Sequence, residues 1–172
     1  VKSRSGKYLY MGGDALERSA YQKLTDWKNS DRRKPLILNG ARQVGKTWLL
    51  KEFGQREYDN IAYISCDNNP VIQGAFTDFD TQRLIRVFSA LTNEQIRPGK
   101  TLIILDEIQE VPRAVSSLKY FSEDAPQYHI AVAGSLLGVA MHRGTGYPVG
   151  KVDEITLFPL TFMEFLKAMH EL

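Results

Sequence analysis

Apolar and polar positions along the chain follow two rhythms, and the changes from one to the other mark out its elements. Short continuous apolar runs occur at Leu36 to Leu38, Ile61 to Ser65 (IAYIS), Leu102 to Leu105 (LIIL), Tyr128 to Ala133 (YHIAVA) and Ile155 to Phe158 (ITLF). Runs of this length and makeup predict strands buried on both faces of a sheet. Between them apolar residues recur every three or four positions. Leu16, Ala20, Leu24 and Trp27 form one such face, and Trp48, Leu49, Leu50 and Phe53 a second. Leu84, Ile85, Val87, Phe88 and Leu91 form a third, Val115, Leu118 and Phe121 a fourth, and Phe162, Phe165, Leu166 and Met169 a fifth. That spacing predicts helices with one face on a core.

The punctuation agrees. Asp14 with Glu17 reads as a helix start, Asp80 as a cap and Pro112 as a first-turn proline. Asn68-Asn69-Pro70 reads as a break, Pro98-Gly99 as a turn and Ala125-Pro126 as a helix end. Strands alternating with helices predict right-handed crossovers, hence an α/β fold with a mainly parallel sheet between two helical layers.

Composition adds bounds. The chain has 172 residues, 43% hydrophobic and 24% charged, enough for one domain with its own core. Its net charge of +2, from 22 basic and 20 acidic residues, gives no global case for nucleic acid or a membrane surface. No apolar run approaches the roughly 18 residues of a spanning helix. The lone Cys66 rules out an internal disulfide, reads as a small buried residue at a strand end, and suggests a reducing cytoplasm. Residues 1–13 form a basic, glycine-punctuated arm with Lys2, Arg4 and Lys7, and residues 14–172 form the core domain. The run Arg32-Arg33-Lys34 reads as a solvated loop. A start at Val1 and an end at Leu172 inside an amphipathic pattern suggest a piece of a longer protein.

The chemistry concentrates after the first strand. Gly40, Ala41, Arg42, Gln43, Val44, Gly45, Lys46 and Thr47 match the P-loop pattern G-x-x-x-x-G-K-[ST]. Glycines at the two fixed positions let backbone N–H groups wrap a phosphate chain, and the helix that follows adds its positive end. Lys46 would reach the β- and γ-phosphates of a bound ATP and the Thr47 hydroxyl would ligate Mg²⁺. A second site closes the third strand, where Asp106-Glu107 follows LIIL at the carboxyl end favoured by ligands in such sheets. Asp106 would hold Mg²⁺ with Thr47, and Glu107 would orient and deprotonate the attacking water. Ser135, after the fourth strand, would sense the γ-phosphate or cap the segment Leu136 to Ala140. Arg143, in the glycine-rich loop His142 to Gly150, is a conceivable arginine finger for a neighbouring subunit, or a solvated loop residue. The three histidines lack metal-ligand spacing, so Mg²⁺ is the metal implied.

GARQVGKT, LIILDEIQ, GSLL and LFPLTFMEFL, in that order, resemble the AAA-type ATPase domain of a large bacterial and archaeal group of ATP-binding proteins. Those proteins carry a C-terminal domain of unknown function. The resemblance runs from about Leu16 to Leu172. It implies a three-layer P-loop core with sheet order 5-1-4-3-2, the roles given above for Gly45, Lys46, Thr47, Asp106, Glu107 and Ser135, and a lid and further domain beyond Leu172. Two positions depart from the group. Trp48 replaces a common second hydroxyl, leaving only its backbone N–H for the α-phosphate. Lys151 stands where arginine is usual and lacks the planar fork of a guanidinium.

The expected function is Mg²⁺-dependent ATP hydrolysis to ADP, coupled to movement of an attached domain or partner, with further copies of the chain among the candidate partners. Without its lid, this piece is expected to bind weakly and turn over slowly. Two rivals differ in class: an ATP-dependent switch that binds protein or DNA with incidental hydrolysis, and a small-molecule kinase on the same core. A guanine-reading N-K-x-D motif is absent, which favours ATP.

Overall fold

The five apolar runs lie side by side in one sheet, and every neighbouring pair is parallel. This computed structural model describes residues 19–135 and 146–159. The elements follow in the order α1 (Ser19–Asn29), β1 (Leu36–Gly40), α2 (Lys46–Glu57), β2 (Asn60–Ser65), α3 (Pro70–Ala75), α4 (Thr81–Thr92), β3 (Thr101–Asp106), α5 (Pro112–Asp124), β4 (His129–Ala133) and β5 (Asp153–Leu157). The sheet order is β2-β3-β4-β1-β5, the 5-1-4-3-2 arrangement of a P-loop core. The basic arm, the start at Asp14 and the helix through Phe162 and Met169 lie outside the described residues.

Burial on both faces explains the unbroken apolar runs. β3 is buried at all six positions and β4 at all five. Leu102 and Ile104 face Leu24, Trp27, Leu50 and Phe53 of α1 and α2. Ile103 and Leu105 face the opposite layer, which includes Phe76, Phe88 and Phe121. The edge strand β5 buries only Ile155 and Leu157, so its position is set by pairing as much as by apolarity. It runs from Asp153 to Leu157 rather than from Ile155 to Phe158. The Asp153 N–H donates to the Pro35 carbonyl, and its carboxylate accepts from the Lys34 N–H at 2.9 Å. Phe158 has left the sheet and is exposed.

Asp80 caps α4 as expected, its carboxylate accepting from the Arg83 N–H at 3.0 Å. Pro112 opens α5, which ends at Ala125. One expectation needs correcting. Asn68-Asn69-Pro70 does not only break the chain; it starts a helix, α3. The Asn69 side chain accepts from the Ile72 N–H, and Pro70 takes the first turn, where its missing N–H costs nothing.

Two features of the fold are testable. A glycine sits within α2 where the helix meets the sheet: a Cβ on Gly54 would lie 2.4 Å from Cγ2 of Ile61 and 3.2 Å from Cδ2 of Leu102. Ile61 is branched at Cβ and fixed on a strand, so its Cγ2 methyl cannot swing clear. Gly54→Ala gains about 1 kcal/mol of helix propensity. Overpacking costs about 1–3 kcal/mol, and a net loss of stability is expected in urea melts.

At the amino end of the sheet, the Tyr58 hydroxyl and Nδ1 of buried His129 share a hydrogen bond of 2.7 Å. Burial, helped by the Arg33 and Lys28 charges, lowers the His129 pKa to about 4. The unfolded chain, with an ordinary histidine, therefore binds a proton between about pH 6.5 and 4 that the folded chain refuses. The stability due to this group is complete above pH 6.5 and is lost as pH falls through that window. Its slope is at most about 1.4 kcal/mol per pH unit. Denaturation midpoints measured from pH 4 to 7 should show this slope in the wild type and a flatter one in His129→Gln.

Candidate active site

The loop between β1 and α2 is shaped by its two fixed glycines. A Cβ on Gly40 would lie 2.5 Å from the Leu157 carbonyl oxygen, so only glycine lets β1 turn off beside β5. Gly45 has φ +89 and stands at the N-terminus of α2, where no side chain caps the helix. A left-handed backbone there is unstrained only for glycine. The first turn of α2 thus keeps its N–H groups for an anion. Ala41, Arg42 and Gln43 are exposed, Val44 and Gly45 half-buried, and Gln43 also has a positive φ, of 63°.

Lys46 is buried at the start of α2. Its ammonium donates to the carbonyls of Gly40 at 2.9 Å and Ala41 at 2.7 Å, folding across the loop. Burial lowers its pKa, and the nearby Glu107 and Asp106 carboxylates counter part of that effect. A cation held this way can exchange carbonyl oxygens for phosphate oxygens without entering a drier place.

Asp106, the last residue of β3, is buried and accepts three hydrogen bonds. Its Oδ2 accepts from the Thr47 hydroxyl at 2.7 Å and from the Tyr63 hydroxyl at 3.0 Å. Its Oδ1 accepts from the Glu107 N–H at 3.0 Å. The predicted pairing of Thr47 with Asp106 is therefore present across 59 residues of chain. Both offer hard oxygen donors. Among the described residues no group of three or more His, Cys, Asp and Glu is placed to hold a metal ion. A divalent cation here would complete its shell with phosphate and water oxygens, which fits Mg²⁺.

Glu107 has φ +52 and leads into a 3-10 turn, Ile108–Glu110. Its Oε2 accepts from the Gln109 amide at 2.5 Å, and Oε1 of Gln109 is buried without a partner. Ser135 lies two residues past the last β1–β4 pair, Leu38 with Ala133, and so stands level with Gly40. It is half-buried, and the segment it would cap lies outside the described residues, as does Arg143. Trp48 is 45% exposed on the first turn of α2.

Two basic positions weighed in the sequence lie at the other end of the sheet, in keeping with the doubt about a phosphate role for Lys151. Lys151 precedes β5, whose Asp153 pairs with Leu36 at the amino end of β1, and it bridges to Glu123 at 3.0 Å. It is too far from the loop to serve a phosphate bound there. Arg33 is also at that end and is only partly solvated; its guanidinium donates to the Lys28 and Pro126 carbonyls. Cys66 is buried one residue after β2, and its thiol pKa is pushed up to about 12 by burial and then by Asp106 and Glu107, which suits a protonated, inert group.

Three neighbours of the site escaped the sequence reading: Tyr63, Gln109 and Lys51, whose ammonium lies 3.5 Å from the centre of the Tyr63 ring. Burial, and then the Asp106 charge, push the Tyr63 pKa up to about 12, so its hydroxyl remains a donor. Tyr63 offered only a partial signal, its hydroxyl, since the partner of that hydroxyl depends on strand register. It is the residue of β2 that carries a hydroxyl two places before Ser65, which pairs with Asp106. Gln109, in a non-periodic turn, had none.

The fold is shared with solved P-loop ATPases. A Walker-type ATPase of Pyrococcus abyssi, Paby2304, is similar with a TM-score of 0.59 and 17% identity, over 91% of this chain and 57% of that one. The Aeropyrum pernix ORC1 protein, solved in complex with DNA, gives 0.53 and 16% over 91% and 47%. A Thermotoga maritima RuvB variant gives 0.53 and 17% over 87% and 48%. The chain thus spans about half the length of these structures. No curated protein matches the sequence significantly. A family model described as AAA domain matches residues 32–166, and the chain belongs to that family.

Proposed function

We propose that this domain binds ATP with Mg²⁺ and hydrolyses the β–γ phosphoanhydride, coupling the change to movement of an attached domain or partner. The observation that carries the reading is the 2.7 Å hydrogen bond between Thr47 and Asp106. It brings a P-loop hydroxyl and a strand-end carboxylate to one point, beside the loop that Lys46 crosses. Family membership supports it.

Backbone N–H groups from Gly40 to Trp48 would cradle the phosphates, and Lys46 would trade its loop carbonyls for β- and γ-oxygens. Thr47 and Asp106 would hold Mg²⁺, which when bound would neutralise charge on the β- and γ-phosphates. Glu107 would take a proton from the water that attacks the γ-phosphorus as the bond to the β-phosphate oxygen breaks, giving ADP and inorganic phosphate. Ser135 would donate to the γ-phosphate. Loss of that phosphate removes contacts at Lys46 and Ser135, the change that would drive motion. A lid and a C-terminal domain beyond Leu172, and assembly with further copies, belong to the same proposal. DNA as a partner draws only on the ORC1 likeness, which shows the fold alone.

Glu107→Gln should keep ATP binding and lower phosphate release at least about 100-fold, as expected on removing a general base. Lys46→Ala should weaken nucleotide binding itself. Equilibrium binding and steady-state phosphate release, measured on this chain and on the full-length protein, separate the readings. ATP binding without phosphate release in either would favour the switch. Phosphate that turned up only on an added acceptor would favour the kinase.

A further inference from the structure

We propose that Tyr63 is a positioning residue for the metal–nucleotide site, acting through Asp106 to set how well Mg²⁺ supports ATP binding. This inference rests on the ATP reading above. The buried Asp106 carboxylate has about four acceptor positions. Three donors fill three of them, and two of the three, the Thr47 and Tyr63 hydroxyls, converge on the same oxygen, Oδ2.

The convergence has a consequence for Thr47. A hydroxyl has one proton and two lone pairs. When that proton goes to Oδ2, the lone pairs are left for a cation, and their direction depends on where Oδ2 is held. Thr47 cannot both aim itself and fix its own acceptor. The Glu107 N–H fixes Oδ1 only, so the carboxylate could still turn about that contact. Tyr63 supplies the second anchor.

Tyr63 is itself held from two elements. Its strand lies beside β3 in register, Ser65 with Asp106 and Ile64 with Leu105, which puts the ring two places back on the face that carries Asp106. From α2, Lys51 sets its ammonium 3.5 Å from the ring centre. Lys51 is one helical turn beyond Thr47, so one helix carries both the hydroxyl to be aimed and the cation that pins its aiming partner. The ring is only half-buried, and water could have satisfied its hydroxyl. The hydroxyl instead lies 3.0 Å from the carboxylate. Filling space alone would need no more than phenylalanine.

Tyr63→Phe deletes the hydroxyl and keeps the ring. The probe is methylanthraniloyl-ATP, whose fluorescence reports binding to the full-length protein, titrated with Mg²⁺ and also without it in EDTA. The metal-free affinity should stay within about twofold of wild type, while the Mg²⁺ concentration for half-maximal enhancement of binding rises about tenfold, the scale typical when a partner of a metal ligand is removed. An unchanged Mg²⁺ midpoint would overturn the inference. So would an equal loss of affinity with and without Mg²⁺, which would mark a general structural defect. If the wild type itself showed no Mg²⁺ effect on nucleotide binding, the ATP–Mg²⁺ reading would fall, and this inference with it.

Discussion

Everything at the site depends on the strands being parallel. Because β1, β3 and β4 point the same way and lie side by side, the segments after them emerge at one edge of the sheet. The P-loop, Asp106-Glu107 and Ser135 are such segments. No local interaction could bring Thr47 to Asp106; the register does. Parallel strands must in turn be covered on both faces, so α1 and α2 seat on one side and α3 to α5 on the other. The depth at which α2 seats fixes the height of the P-loop, and a glycine at position 54 permits that depth.

The opposite edge does a different job. Tyr58, His129 and Trp27 pack there edge to face, and Lys28, Arg33 and Lys151 are tied to neighbouring carbonyls or carboxylates. Those cations are engaged by the protein's own oxygens. Charge alone does not separate them from phosphate ligands; the end of the strand on which each falls does.

Much of this was legible in the residues. Strands buried on both faces leave unbroken apolar runs, so β3 and β4 were readable almost to the residue. The placement of the loop and of the acidic pair was readable because Gly40 and Gly45 stand at a fixed spacing after β1 and Asp106-Glu107 closes the apolar run of β3. The order of the strands was not, since any order satisfies the same alternation; it came with the family resemblance. β5 was misplaced by two residues because an edge strand is positioned by pairing with β1, which apolarity does not encode. α3 was missed because Asn-Pro both breaks a chain and begins a helix. The contacts of Tyr63 and Gln109 depend on strand register and on an irregular turn, and periodicity is blind to both.

The turn after β3 gives two adjacent carboxylates separate surroundings. Like charges on consecutive residues would repel and blur each other's roles if both faced one point. Glu107 takes φ +52 instead, a left-handed backbone that costs a side-chain-bearing residue about 1–3 kcal/mol. The Glu107 N–H donates to Oδ1 of Asp106, and the positive φ that follows it turns the chain into the 3-10 segment that carries Gln109. Asp106 is left facing α2 and Thr47, while the Glu107 carboxylate is drawn to the Gln109 amide. The pair is therefore divided: the Asp106 carboxylate accepts from three donors, and the Glu107 carboxylate from a single side-chain amide, which leaves Glu107 the less constrained of the two.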